Sequence, residues 1–533
     1  MKTLKNIKYI GLIAIAIGFT SCNDESDYEE FLDVQPDSGV VLPTLTNGSV
    51  DFSKYVALGA SFTSGYTDGA LFKAAQENSF PNTLSKQFVK VNGNAITLPL
   101  MNDNIGGFVF GSTVVANPRL FFNGSGPQVL PATPTTDVTT SLAADGSIFT
   151  NVGIPGAKST HIDFNGYASL NPYFGRIATS PTISMLEYAV AQNPTFFTLS
   201  EIGGNDVLGY ATSGGDGSDP ITPTATFDFV FTDMVNQLTA VCPNGVVTNV
   251  PYITDLPHFT TVPHNPLDPT NPSFGPQIPL LNSIFGALNP IFNAVDPARA
   301  IVFSETSASP VVIHDESLAD ISAIIIQQLN ASPTFPGFIA QFGLPASAAP
   351  LVANLLGATY GQSRQATEAD LLVLPSSSII GTVNTANVAA LMGQGLPQAL
   401  AGQFSVEGVS LPLADKWVVL PTEQAEIKTA TDAYNATISS VANSKGLALV
   451  DLNAILSQAS VMGVEFDDYN LATNLVTGGL VSLDGVHLTA RGYALMANKF
   501  LEAIDATYGS NFVASGNVAK AEDFGVTYSP ALQ

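Results

Sequence analysis

Short apolar runs closed by glycine or a polar turn alternate with helix-length amphipathic segments, and this alternation leaves few architectures open. Lys54–Leu58 (KYVAL), Thr195–Ser200 (TFFTLS), Gly245–Ile253 and Leu447–Leu452 (LALVDL) are β-rich runs, and Asn151–Gly156 closes a strand-to-loop passage. Between them, Phe80, Leu84 and Phe88 recur at i, i+4, i+8 within Phe72–Phe88. Ser184–Gln192, Phe227–Val241, Thr422–Asn443 and Thr489–Ala506 carry similar helical patterns. Thr422 and Glu426 are placed to start the third of these. Strands alternating with helices predict an α/β fold, a mostly parallel sheet covered on both faces.

Two segments interrupt the alternation. Residues 97–146 are rich in Gly, Pro, Thr and Asn, and read as an irregular, partly β insertion. Residues 259–416 are dense in Pro, Ala, Leu and Ile, with Arg299, Arg364 and Lys416 as their only basic residues besides His. Their apolar pieces, such as Ile324–Ile326 and Pro350–Leu356, are too interrupted for membrane spans. Lys416–Leu420 (KWVVL) then resumes the strand pattern. No repeat of solenoid period occurs.

The chain has 533 residues, 45% hydrophobic and only 12% charged, which excludes disorder as a description of the whole. Its 44 Asp+Glu against 18 Lys+Arg give a formal charge of −26. Such a surface repels phosphate backbones, so nucleic acid is a poor partner. At the N-terminus, Lys2, Lys5 and Lys8 precede an apolar run, Tyr9–Phe19, too short to span a bilayer but of export-signal length. Thr20, Ser21 and Cys22 follow, and then the acidic stretch Asn23–Asp27 with Glu29 and Glu30. If Cys22 is consumed there, only Cys242 remains, a lone thiol suited to the core.

Attack on an ester needs a nucleophile, a base, a group that orients the base, and donors for the oxyanion. Four separated pieces supply such a set. Gly59-Ala60-Ser61-Phe62-Thr63-Ser64-Gly65 places a Ser directly after an apolar strand, where ligands bind in open α/β sheets. Asp484-Gly485-Val486-His487 sets an acid three residues before a His, close enough to fix its tautomer. Gly156, in Asn151-Val152-Gly153-Ile154-Pro155-Gly156, and Asn205, in Gly203-Gly204-Asn205-Asp206, follow strands too and offer a backbone N–H and a neutral amide. Of the other four His, His161 lies near Asp163 in no recognised motif, and His314 beside Asp315 reads as structural. His258 and His264 are six apart, which is not a zinc-ligand spacing. The acidic loop Asp216–Asp219 reads as solvated rather than as a calcium site.

The order GxSxxxG, NxGxxG, GGND and DGxH resembles the SGNH/GDSL hydrolase family over residues 53–258 and 417–506. The resemblance implies a three-layer α/β/α sandwich with about five parallel strands. It also implies Ser61 as nucleophile, Asp484 and His487 completing the triad, and an oxyanion hole of the Ser61 N–H, Gly156 and Asn205. No metal or other cofactor is implied. One departure is Ala60, where the family has an Asp, so a hydrogen bond bracing the oxyanion loop is expected to be lost. The N-terminus resembles a bacterial lipobox of the Bacteroidetes surface-lipoprotein type, implying lipidation at Cys22 and an exported protein held at the outer membrane or cell surface.

The expected organisation is therefore a signal peptide over 1–21, a lipidated acidic tether over 22–52, a hydrolase domain over 53–510 with insertions at 97–146 and 259–416, and a tail over 511–533. The expected activity is hydrolysis of small-molecule or lipid esters as a lipase or acylhydrolase, with the 259–416 insertion shaping an acyl pocket or lid. The alternatives are a carbohydrate acetyl esterase acting on surface glycans and a non-catalytic surface-binding lipoprotein.

Overall fold

Five strands carry so little polar character that only a sheet covered on both faces can hold them. In the computed structural model they are β1 (Tyr55–Gly59), β2 (Asn151–Gly153), β3 (Phe196–Ser200), β4 (Gly245–Thr248) and β5 (Ala448–Val450). They form one parallel sheet in the order β5-β4-β3-β1-β2. The register aligns Leu58 with both Val152 and Leu199, and Val246 with both Thr198 and Ala448. Every residue of β1, β3 and β4 is buried. Inside it, the Tyr55 hydroxyl and Thr198 Oγ1 are hydrogen-bonded to each other at 3.0 Å.

The structure describes residues 41–533. The export signal, Cys22 and residues 23–40 of the acidic tether lie outside the described residues. Leu45–Gln533 is one unit.

Helices flank the sheet, each docked through its apolar stripe. Ser61–Ser64 forms the single turn α1 directly after β1. Phe80–Phe88 (α2) buries Phe80, Leu84 and Phe88 fully, the three positions its sequence spacing singled out. Phe80 stacks on Phe500 at 4.7 Å, joining α2 to the last long helix, and Phe88 stacks on Phe52 at 4.1 Å. The longest helices of the body are α3 (Gly204–Thr212), α4 (Thr224–Val241), α5 (Pro421–Lys445), α6 (Leu452–Val461) and α7 (Ala490–Tyr508), together with α2. Thr489 caps α7 by accepting the Gly492 N–H at 2.9 Å.

Three expectations change. Phe72–Phe88 is two helices, Lys73–Glu77 and α2, because Ser79 is extended between them. Val418–Val419 pairs antiparallel with Leu371–Leu372 and not with the main sheet, so Lys416–Leu420 closes the large insertion. At the start of α5 the acceptor is Glu423, which takes the Leu420 N–H at 2.6 Å, while Glu426 instead accepts the Tyr210 hydroxyl at 2.8 Å. Pro421 occupies the first turn, where its missing N–H costs nothing.

The first insertion contributes two antiparallel hairpins, Phe108–Phe110 with Thr113–Ala116 and Leu120–Phe122 with Pro127–Val129. The second has a core of its own around Phe285, Phe292, Ile313, Ile325, Tyr360 and Leu413. One of its helices, within Gly275–Val295, is long and apolar enough to cross a membrane, yet it turns Ile278, Leu281, Phe285, Leu288 and Phe292 into that core. The tail is anchored as well. Fully buried Arg119 donates to the carbonyls of Ser529 (2.7 Å) and Leu532 (2.8 Å).

Where the second insertion meets α5, carboxylate oxygens of Glu316, Asp415 and Glu423 lie within 4.8 Å of one another. Burial first, and the neighbouring carboxylates second, push Asp415 up to about 7 and Glu423 up to about 8. These groups bind protons more tightly folded than unfolded. Their contribution to stability is therefore complete at acid pH and is lost as pH rises through about 7 to 8. Glu423→Gln keeps an acceptor for Leu420 and removes one charge. We expect it to raise Tm by about 1–3 °C at pH 8.5 and by less at pH 5, measured by calorimetry.

Candidate functional site

All five strands end at the same sheet edge, and the strand order reverses direction between β1 and β3. In open parallel sheets that point forms the ligand crevice. Ser61 leaves β1 there, and Glu201–Asn205 leaves β3 beside it. Ser61 is 8% exposed, and its hydroxyl and its backbone N–H have no hydrogen-bond partner among the described residues.

The Asp484-Gly485-Val486-His487 loop comes to this edge from the other end of the chain. Asp484 Oδ2 lies 2.9 Å from His487 Nδ1 and also accepts the Gly69 N–H at 2.8 Å. Its Oδ1 accepts the N–H groups of His487 (2.8 Å) and Val486 (2.9 Å). Burial alone would raise this carboxyl, but His487 and these donors outweigh burial and hold it well below the usual carboxylate range. Asp484 is thus a fixed anion that directs the other ring nitrogen of His487 outward. The imidazole packs 4.6 Å from the Tyr66 ring and 5.8 Å from the Phe62 ring, which places it over α1.

Contacts of the segment after α1 join the two loops. The Thr67 hydroxyl donates to the Leu488 carbonyl at 2.8 Å, and the Asp68 N–H donates to Ser482 Oγ at 3.0 Å. Asp68 Oδ1 accepts the Leu483 N–H at 3.1 Å. From outside, Leu374 of the second insertion packs against Gly485, and the His258 N–H donates to the Gly485 carbonyl at 3.0 Å.

Asn151 and Asn205 tie the other two motifs in. The Asn151 amide donates to the Thr63 carbonyl at 2.8 Å, and its oxygen accepts the Gly153 N–H at 2.9 Å. Gly153 lies so close to Thr63 and Ser64 that a side chain there would strike their backbone. The Asn205 amide donates to the Ala157 carbonyl at 2.9 Å, which holds the turn carrying Gly156, a residue at φ 78. Gly156 is exposed and contributes nothing to the apolar wall described next.

Ser61, Glu201 and Asn205 line a pocket whose other walls are almost wholly apolar. Leu452, Ile455 and Leu456 face it from α6, and Gly492, Leu495, Met496 and Lys499 from α7, both at helical spacing. Ile253, Leu256, Leu480 and Leu488 add to the apolar wall. No residue of 259–416 lines it, so the second insertion does not form the wall of this pocket. That insertion has a core of its own.

Sequence reading missed Glu201. Its Oε1 accepts the N–H groups of Ala60 (2.6 Å) and Thr63 (3.0 Å), and its Oε2 accepts the Thr63 hydroxyl at 3.3 Å. Burial pushes it up to about 7, against the pull of these donors. Its only sequence signal was its place, two residues before the Gly203-Gly204 pair. The other candidates do not line the pocket. His161 Nδ1 accepts the Lys158 N–H at 3.1 Å, and the ring stacks on Tyr167. Asp315 pairs with Arg364 at 2.5 Å rather than with His314, and Cys242 is buried in the core. Asp219 is paired with Lys158. None of Glu316, Asp415 and Glu423, the three carboxylates that approach one another closely, lines the pocket.

Comparison with family models, with curated proteins and with solved structures returned no match.

Gly153→Ala should force α1 away from β2. The expected cost is about 1–3 kcal/mol of stability, as for other overpacked sites, read by urea denaturation.

Proposed function

We propose that the protein is a serine ester hydrolase of the SGNH type, built as an α/β/α sandwich, exported and lipid-anchored through Cys22. The observation that carries this reading is Ser61, its hydroxyl and N–H unpartnered among the described residues, in the lining of an apolar pocket, with the Asp484-held ring of His487 packed on Phe62 and Tyr66 of the same turn region.

In this reading Ser61 Oγ attacks the ester carbonyl while His487 takes its proton. Asp484, already ionised, keeps the imidazole in the right tautomer and stabilises the imidazolium. No Ser61–His487 hydrogen bond is present among the described residues, and catalytic hydrogen bonds of this kind often close only with substrate bound. Charge develops on the carbonyl oxygen within reach of the Ser61 N–H, the Gly156 N–H and the second amide hydrogen of Asn205. His487 returns its proton to the leaving alcohol, and water repeats the cycle on the acyl-enzyme. A fluorophosphonate probe should label the wild type and leave Ser61→Ala unlabelled, and labelling of both overturns the reading. Asn205→Ala should lower kcat by about 10²–10³, the usual size of one oxyanion donor.

The pocket favours a fatty-acyl substrate. From Gly492 to Lys499 its α7 wall runs seven residues, or about 10 Å at 1.5 Å per residue. An extended alkyl chain, with bonds of about 1.5 Å, covers that distance with about eight carbons. Each buried methylene is worth up to about 0.8 kcal/mol, of which a pocket captures part. We expect kcat/KM on p-nitrophenyl esters to rise a few-fold per two carbons from acetyl to octanoyl. Met496→Trp, which fills the pocket, should flatten that rise and leave acetate turnover in place. A wild-type profile peaking at acetate would overturn the fatty-acyl assignment.

A further inference from the structure

A one-turn helix has several N–H groups and little hydrogen bonding of its own, so its geometry depends on what accepts them. The usual acceptor is a Ser, Thr, Asp or Asn side chain at the N-cap. At the N-cap of α1 stands Ala60, whose side chain can accept nothing. The acceptor arrives from the neighbouring strand end instead. Glu201 takes the N–H groups of Ala60 and Thr63 and the Thr63 hydroxyl. It leaves the N–H groups of Ser61 and Phe62, between those two, without partners among the described residues.

The backbone at Glu201 is bent to make this reach. Its φ is 51, a left-handed conformation uncommon for a residue with a side chain, and its own N–H is held by Thr248 Oγ1 at 2.8 Å. Four residues further on, Asn205 lines the same pocket as Ser61. One buried carboxylate therefore ties the turn that carries the Ser61 N–H to the turn that carries the Asn205 amide.

We propose that Glu201 is a positioning residue for the oxyanion site: a cap supplied across the sheet, which fixes the Ser61 N–H relative to the Asn205 amide while leaving it free to bind. The proposal rests on the serine-hydrolase reading above. A donor that matters only as charge develops lowers kcat when misplaced and leaves KM nearly unchanged, whereas loss of fold lowers the amount of active enzyme.

The test compares Glu201→Ala, Glu201→Gln and the double variant Ala60→Asp/Glu201→Ala on p-nitrophenyl octanoate, with active sites counted by the fluorophosphonate probe. Per labelled site, Glu201→Ala should lose about 100-fold in kcat with KM within about threefold. Glu201→Gln keeps the oxygen that accepts both N–H groups and should stay within about tenfold of wild type. Adding Ala60→Asp to Glu201→Ala places an acceptor at the ordinary N-cap position and should recover at least tenfold. Wild-type kcat in Glu201→Ala overturns the proposal, as does a double variant no better than the single one. Equal losses in the Gln and Ala variants overturn it too, since charge rather than capping would then be the requirement. If Glu201→Ala does not fold, Glu201→Asp decides. Its side chain is too short to reach α1, so a kcat loss of tenfold or more with KM within threefold supports the proposal, and wild-type kcat overturns it. A wild type that neither labels nor hydrolyses esters would sink the hydrolase reading itself, an outcome distinct from all of these.

Discussion

The turn between β1 and α1 is the constraint on which the rest of the site depends. A parallel strand must leave its sheet abruptly, and the four residues of α1 make too few bonds among themselves to hold a direction. Here the direction is imposed from both neighbouring strands. Asn151, on β2, grips the Thr63 carbonyl, and Glu201, after β3, grips the Ala60 and Thr63 N–H groups. One neighbour takes the acceptor side of the turn and the other the donor side. Ser61 sits between them, with its hydroxyl and N–H left over.

The Asp484–His487 loop needs a second set of anchors, because it reaches the site from the far end of the chain. Thr67, Asp68 and Gly69 supply them immediately after α1. The same short stretch therefore fixes the proposed nucleophile and the loop of its proposed base. A shift in either loop is felt by the other within a few residues. The second insertion adds pressure from outside through Leu374 on Gly485, which gives its separate core a route to the site without lining the pocket.

Much of this was legible in the sequence, for a physical reason. Strands buried on both faces must be apolar throughout, so TFFTLS and KYVAL announced themselves. Asp484 and His487 were readable because three residues across a glycine turn suffice to pair them. Phe80, Leu84 and Phe88 were readable because the helical period alone decides which face is buried. Lys416–Leu420 was misplaced because a valine pair is equally at home in a main sheet and in a two-residue ladder, and local pattern cannot tell them apart.

Glu201 and the pocket were illegible for the opposite reason. A buried carboxylate is justified only by the donors that surround it, and those donors belong to residues 60 and 63, some 140 positions away. The pocket wall is assembled from Ile253, Leu452, Leu480 and Leu495, each of which looks locally like ordinary core. The large apolar insertion drew attention because its composition was unusual. Composition measures how much apolar surface a segment must hide, not where it hides it. The insertion builds a core of its own and lines none of this pocket, while the helices α6 and α7 leave a gap between their facing stripes. The space for an apolar ligand arises where two elements of the main body fail to close, and only the packing of both reveals it.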